Sequence, residues 1–591
     1  MDRPDMAPAP RADALPDSRG RNAFDDDRSL RQLLPLHVPA DLLAHLTPHL
    51  RRLGGLVGDR LDDLAHSADR NPPVLHHRDR RGIDREWIEK HPAYRALEQI
   101  AFGDLGLAAM SHRPGALDWP ARMPPAAKYA LTYLFVQSEF GLCCPVSMTD
   151  SLTRTLTKFG APELVARYLP GLTAQDLDGL VQGAMFMTEQ QAGSDVGRVE
   201  TVAKRDGAAW RLHGDKWFCS NADAGLAMVL ARPEGAPPGT RGLGLFLMPR
   251  TLPDGTQNAF RIVRLKDKLG TRSMASGEIR LEGALAYPVG DLARGFAQMT
   301  DMINMSRLSN GVRAAGLMRR ALREACFVAG ARQAFGTPIA DLPLMRRQLL
   351  KLMVPTEQAL SMVLATAEAL AATDGGDADA ALRLRILTPL LKFRACRDAR
   401  KVAGDAMEVR GGCGYIEEWI EPRLLRDAHL GSIWEGTSNV VALDVLRSAR
   451  KTAAHRALAD TLTARLARTD LPAGLRARLD QSLARAVALI DTAAHDQPSE
   501  RLARQAASAL YHAASAAVMA GEAVAIAARE GDARRLLLAR LVLDHRLSPR
   551  DPLAADDVTI STEIEAALLG DAPVPPAIAY KLCELSDPAT P

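Results

Sequence analysis

The periodicity of apolar residues changes twice along this chain, and that change limits its fold more than any other feature. From Leu30 to about Leu180 the pattern is mostly helical, broken at Pro72-Pro73 and around Pro120 to Pro125, with Lys128 to Phe140 as a clear helix. Between Met185 and Glu282 short alternating runs take over. Trp210 to His213 and Glu278 to Glu282 alternate, Leu243 to Met248 reads as a more buried strand, and Pro237-Pro238-Gly239 and Pro253-Asp254-Gly255 are turns. After Gly295 the helical period returns, with Leu308, Val312, Ala315, Leu322, Cys326 and Ala329 on one face of a helix predicted to reach about Gln333. Further helices are expected over roughly 341–373, 378–409 and 434–450. This order predicts an α+β chain with a helical domain over 30–182, a small antiparallel β-domain over 183–294 and a helical bundle over 295–450. An appended helical domain with an acidic tail is expected over 451–591.

Residues 1–29, rich in Pro, Asp, Arg and Ala, are expected to form a disordered leader. The formal net charge of +3, from 74 basic and 71 acidic residues, is too balanced to demand a polyanionic partner. Its distribution is uneven. Residues 441–550 carry 17 basic against 11 acidic residues, a net of +6, whereas 551–591 carry one Lys and eight acidic residues, a net of −7. Arg534, Arg535, Arg540, Arg546 and Arg550 could form a basic face for nucleic-acid phosphates; the alternative is a solvated helical surface. The seven cysteines have no metal-ligand spacing and read as reduced thiols, so no metal site is expected. The N-terminus has no apolar signal core, and no uninterrupted apolar run is long enough to span a bilayer, so a cytoplasmic location is expected.

Five segments carry residue types suited to chemistry. Met187 to Asp195 (MTEQQAGSD) runs from a strand end into small and hydroxyl residues, which let a backbone approach a cofactor, or which merely form a loop. Lys216 to Asn221 (KWFCSN) places aromatics before a hydroxyl, suited to a planar ring with a hydrogen bond at its edge, or to core packing. Arg332 to Gly336 (RQAFG) puts a guanidinium at a helix end, where it binds phosphate or serves the helix dipole. Arg410 to Tyr415 (RGGCGY) has three glycines in four residues, a sign of close backbone approach. Ile433 to Asn439 (IWEGTSN) sets Glu435 where a helix begins. A carboxylate there favours the helix dipole or, kept from water beside the indole of Trp434, gains proton affinity and acts as a general base.

In this order, within a helix–β–helix frame, the five segments resemble the acyl-CoA dehydrogenase family over about residues 70–450. The resemblance implies the fold of that family, with an N-terminal helical domain, a middle β-domain and a C-terminal four-helix bundle. It implies FAD-dependent α,β-dehydrogenation of an acyl-CoA thioester, with Glu435 of the EGT triplet as catalytic base and hydride passing to flavin N5. Met187, Thr188, Ser194, Phe218 and Ser220 would line the flavin, and Thr437 and Asn439 would also contact the cofactor. Arg332, Phe335, Gly411 and Gly412 would reach the FAD of a neighbouring subunit. Ser194, Arg307 and Gly436 would meet the substrate. Shared FAD sites imply a homotetramer, a dimer of dimers, and an electron-transfer flavoprotein is the implied acceptor.

Some branches carry the base on the long helix just before an arginine. Here Ser306 precedes Arg307, which leaves Glu435 as the base that the motifs support. Gln190-Gln191 in place of Pro-Gly, Cys413 in the glycine loop and the long extension are departures from the usual pattern. With Asn71-Pro72-Pro73, Leu142 to Thr149 and Arg264 to Gly270, they bring the chain closer to the AidB-like branch. That branch contains FAD, is associated with the adaptive response to alkylation damage, and carries a C-terminal domain implicated in DNA binding. Two functions therefore stand side by side: a working dehydrogenase, and a DNA-binding flavoprotein with weak or vestigial activity. A flavin oxidase fits less well, because the family's oxidases carry a different first motif and a His in the glycine loop.

Overall fold

A computed structural model describes residues 15–549, 553 and 561–584. The N-terminal part is built from α1 (Arg28–His37), α2 (Ala40–Val57), α3 (Arg60–Arg70), α4 (Pro92–Glu98), α5 (Pro125–Phe135), α6 (Cys143–Phe159) and α7 (Pro162–Leu172). The helix expected over Lys128 to Phe140 thus ends at Phe135, and a turn leads into α6. A hairpin of β1 (Val74–Arg78) and β2 (Asp84–Glu89) interrupts these helices where only a break is visible in the sequence. Its strands, VLHHR and DREWIE, are mostly exposed and charged, so they carry no apolar alternation.

The leader needs correction where it is described. Residues 1–14 lie outside the described residues, but the following stretch is packed. Ala23 and Phe24 are buried, and the Asp27 carboxylate accepts from the Leu30 N–H at 2.9 Å and the Tyr133 hydroxyl at 2.8 Å. Ser18 donates to Glu324 at 2.6 Å. A low apolar content does not reveal polar partners supplied from hundreds of residues away.

The middle domain contains β3 (Gly183–Phe186), β4 (Val202–Asp206), β5 (Ala209–Ser220), β6 (Leu226–Pro233), β7 (Gly244–Pro249), β8 (Phe260–Leu265) and β9 (Ser276–Pro288). The order β6–β4–β5–β9–β7 closes back on β6, so the sheet forms a barrel-like ring, with β3 beside β6 and β8 beside β9. Most pairings are antiparallel as expected, and β6 in addition pairs in parallel with both β3 and β4. Strand β7 is buried throughout and β6 nearly so, because their second faces pack on helices; their sequences are therefore continuously apolar rather than alternating.

The bundle consists of α8 (Gly295–Ala331), α9 (Pro343–Asp374), α10 (Ala378–Arg410), α11 (Glu421–Gly431) and α12 (Ser438–Thr452), with a two-residue ladder of β10 (Gln333–Ala334) and β11 (Thr337–Pro338) after α8. The appended part holds α13 (Ala454–Ala467), α14 (Ala473–Ala494), α15 (Ala503–Glu530), α16 (Arg534–Val542), α17 (Thr562–Leu569) and α18 (Pro576–Glu584). Its core is continuous with that of the bundle. The segment Pro498–Glu530 is long and apolar enough to cross a membrane by length and composition, and most of it is buried in this core.

That docking overturns the proposed basic face. Arg535 is 3% exposed and pairs with Glu357 at 2.7 Å and Glu522 at 2.9 Å. Arg534 donates to the carbonyls of Gly570 and Leu568. Arg540 is buried, with bonds to Asp544 and the Leu582 carbonyl. Only Arg546 of the five is exposed among the described residues, and Arg550 lies outside them. Guanidiniums that look like a surface stripe in sequence are internal partners, Arg535 and Arg540 in buried ion pairs and Arg534, half-buried, on backbone carbonyls.

Candidate active site

Glu435 sits in the turn between α11 and α12, two residues before the Thr437 cap of α12. Its φ of 48° lies in the left-handed region, which a non-glycine residue adopts only when its surroundings impose it. Two cations impose it here. Arg307 Nε donates to the Glu435 carbonyl at 3.0 Å, and Lys392 Nζ donates to the Gly436 carbonyl. Arg307 is itself fixed by Asp444 at 2.7 Å, a carboxylate that Arg385 also holds at 2.7 Å. Arg307, expected to meet substrate, is thus occupied in holding the Glu435 turn.

The Glu435 carboxylate does not serve the dipole of α12. Its Oε1 accepts from the Ser306 hydroxyl at 2.7 Å and its Oε2 from the Asn310 amide, both on α8. The Asn310 carbonyl oxygen accepts the Trp434 indole N–H at 2.6 Å. Trp434 stacks on Phe140 with centroids 6.0 Å apart, and the Arg313 guanidinium lies 4.7 Å from the Trp434 ring centroid. Burial raises the proton affinity of Glu435 above the usual carboxylate range, and Arg313, Lys392, the Ser306 hydroxyl and Arg307 partly oppose it. The carboxylate is therefore ionisable, desolvated and aimed, which suits a general base.

The segments expected to hold a flavin lie on the barrel beside this turn. Lys216, fully buried, pairs with Glu189 at 2.6 Å and donates to the Leu230 carbonyl at 2.8 Å. Glu189 also accepts the Glu200 N–H at 2.7 Å, so the loop after Met187 is pinned from below. The Trp217 N–H donates to the Thr188 carbonyl at 2.8 Å, which brings the first two motifs together. Phe218 is 58% exposed, and Lys266 Nζ lies 3.4 Å from the Trp217 ring centroid. Cys144 of α6, its thiol pushed up to about 11 by burial, belongs to the apolar cluster against which both Met187 of the barrel and Trp434 pack, so the barrel and the Glu435 turn meet there. Ser194, Thr437 and Asn439 are exposed, and Met187, Thr188, Ser220 and Gly436 are partly so. Flat apolar surface, edge hydroxyls and a rigidly held loop fit an isoalloxazine ring.

Arg332, Phe335, Gly411 and Gly412 gather elsewhere, at the far end of α8. Arg332 Nη1 donates to the Arg410 carbonyl at 3.2 Å. A Cβ at Gly411, where φ is +72°, would lie 2.9 Å from that nitrogen. Phe335 is 96% exposed. Ser306 and Arg332 are 26 residues apart on α8 and its cap, about 39 Å at the helical rise of 1.5 Å per residue.

Asn310, Arg313 and Lys392 were not among the expected site residues. The signal for two of them is present in the sequence: Ser306, Asn310 and Arg313 fall at i, i+4 and i+7, a polar line on a largely apolar helix. All three are fully buried.

Three family models match successive parts of this chain. Residues 14–179 match the adaptive response protein AidB N-terminal domain, 184–284 the acyl-CoA dehydrogenase middle domain, and 293–450 the acyl-CoA dehydrogenase C-terminal domain. The chain is 37% identical to the putative acyl-CoA dehydrogenase AidB of Escherichia coli (strain K12) over 66% of its own length and 72% of that protein's. It is 34% identical to acyl-CoA dehydrogenase family member 11 of Caenorhabditis elegans, over 71% and 69% of the two chains. A crystal structure of Caenorhabditis elegans ACDH-11 in complex with C11-CoA superimposes with a TM-score of 0.81 at 28% identity, covering 88% of this chain and 91% of that one. The chain therefore belongs to the acyl-CoA dehydrogenase family of FAD-dependent oxidoreductases.

Proposed function

We propose that this protein catalyses α,β-dehydrogenation of a fatty acyl-CoA thioester, with Glu435 as the base that removes the α-proton. The observation that carries this reading is the Glu435 carboxylate, held by two donors on a turn whose Trp434 packs against the same apolar cluster as Met187 of the barrel. Bound FAD supplies the acceptor for the β-hydrogen, taken as hydride at N5. The chain's own residues do the rest. Glu435 takes the proton onto a carboxylate oxygen, while Arg307 and Lys392 hold its turn in the left-handed conformation. The Glu435 N–H has no acceptor among the described residues and is available to a thioester carbonyl, where enolate charge develops. Trp434, stacked on Phe140, holds through its indole N–H the Asn310 amide that donates to the carboxylate.

Met187, Thr188, Ser194, Phe218 and Ser220 are assigned to the flavin of the same subunit, with Thr437 and Asn439 at its periphery and Ser194 and Gly436 toward the thioester. The 39 Å along α8 is further than one dinucleotide reaches, which supports the assignment of Arg332, Phe335, Gly411 and Gly412 to a neighbouring subunit's FAD and of the assembly to paired dimers. An electron-transfer flavoprotein is the proposed acceptor. A fatty acyl-CoA substrate is supported by the C11-CoA complex of the Caenorhabditis elegans relative.

A DNA-binding role is the second reading, favoured by the likeness to AidB, but the internal partners of Arg534, Arg535 and Arg540 remove three of the five contacts suggested for it. Incubating FAD-loaded protein with straight-chain acyl-CoA esters and an artificial acceptor should yield the corresponding 2-enoyl-CoA. An absence of enoyl product across the series would refute the dehydrogenase reading.

A further inference from the structure

The Glu435 carboxylate is more than desolvated, because each of its oxygens meets a buried donor from one helix. We propose that Ser306 and Asn310 are positioning residues that clamp the Glu435 carboxylate in its ionised, aimed form, Asn310 tying the same carboxylate to Trp434. This inference rests on Glu435 being the base.

The orientation of Asn310 follows from chemistry. An indole nitrogen only donates, so the Trp434 N–H fixes the Asn310 carbonyl oxygen toward itself at 2.6 Å, and the amide NH2 must then face Glu435. Ser306 supplies the second donor at 2.7 Å, from the position where other branches of the family carry the base itself. Both residues are fully buried, so neither donor is replaced by water at rest. Each carboxylate oxygen keeps a second lone pair, which is where the substrate proton goes.

The charged and titratable groups that face Glu435 are Arg307 and Arg313 from α8, Lys392 and Cys396 from α10, and Cys144 from α6. Arg307 and Lys392 bond to backbone carbonyls, and both Nη atoms of Arg313 lack a hydrogen-bond partner. Among the described residues the carboxylate oxygens therefore receive hydrogen bonds only from Ser306 and Asn310. A donor to a carboxylate favours the ionised form, opposing burial. Without the clamp, Glu435 would be protonated, and so idle as a base, over a wider range of pH.

The test uses the full-length, FAD-loaded protein. The infrared carboxylic-acid band that is present in the unmodified protein and missing in Glu435→Gln reports protonation of Glu435 directly. Its titration midpoint should rise by about one to two pH units in Ser306→Ala and in Asn310→Ala. It should return toward the unmodified value in Ser306→Thr, which restores the hydroxyl. The acid limb of substrate-driven flavin bleaching should move in the same direction. An unmoved midpoint in folded, FAD-bound Ser306→Ala would overturn the clamp, and this variant, which removes a single oxygen, carries the test if Asn310→Ala does not fold. Persistent bleaching in Glu435→Gln would instead refute the base assignment, so the two failures are told apart.

Discussion

Replacing Arg535 by methionine should destabilise the protein by about 3 kcal/mol, the low end of the cost of breaking a buried ion pair. Arg535 bridges α16 to α9 and α15 through Glu357 and Glu522, and its remaining nitrogen donates to Ser361. After the substitution Glu357 still has Arg319, but Glu522 keeps only the Ser361 hydroxyl at 2.6 Å. Most of the loss therefore falls on one carboxylate, which places the cost near the lower bound and corresponds to about a hundredfold in the unfolding equilibrium of this part of the chain. Urea unfolding followed by far-UV circular dichroism measures it, comparing midpoints because a chain of several domains is not two-state. The double substitution Arg535→Met/Glu522→Gln should cost less than the sum of the two single ones, since the orphaned charge is then gone. A solvated surface arginine would change stability by no more than about 0.5 kcal/mol. An unchanged midpoint for Arg535→Met would refute the internal network, and a loss of DNA affinity in this variant would report damage rather than a lost phosphate contact.

Acid should weaken the same network. Burial alone would raise Glu357, but Arg319 and Arg535 outweigh it and hold the carboxyl at about 2 against its usual 4.5. Its contribution is complete above pH 4.5 and is lost as pH falls toward 2, so Arg535→Met should lose less stability over that interval than the unmodified protein. Asp427 behaves in the opposite sense: burial, reinforced by the Asp69 carboxylate, pushes it from 3.8 up to about 7 while it accepts the Thr271 N–H at 2.6 Å. Its contribution is complete below pH 3.8 and fades as pH rises through 7. Asp427→Asn should therefore gain stability relative to the unmodified protein between pH 5 and 8 in thermal melts, and a constant difference would exclude the assignment. Lys216→Met leaves Glu189 buried without its cation, at a cost of about 3–5 kcal/mol. Fluorescence titration should show weakened FAD binding, and unchanged affinity would mean that the pinned loop does not shape the flavin site.

The layered order was legible because the switch from helical to alternating periods is a strong signal, and because β6 and β7 are continuously apolar. The β1–β2 hairpin was not, since most of its side chains are polar and most are exposed, and of its residues only Ile88 and Leu75 join the apolar core of the barrel. The leader was misjudged because Ser18 and Asp27 find their partners on α8 and α5, contacts across a sequence separation that no local pattern encodes. At the site, Glu435 was legible from its triplet, whereas its surroundings were not. Arg307 reads in sequence as a ligand contact, and in the structure its guanidinium donates to the Glu435 carbonyl, a tertiary bond that no local pattern encodes. The charge count over 441–550 suggested a surface, but Arg535 and Arg540 pack inside and Arg534 is half-buried, where only tertiary partners determine the sign of the local field.

Anaerobic mixing of FAD-loaded Glu435→Gln with a fatty acyl-CoA that bleaches the unmodified flavin tests the central claim most directly. The amide keeps the size of the side chain and an oxygen to accept from Ser306, so FAD should remain bound. The bleaching rate should fall by about 10²–10⁴-fold, the range contributed by a positioned general base. Bleaching at the unmodified rate would contradict the assignment of Glu435 as the base.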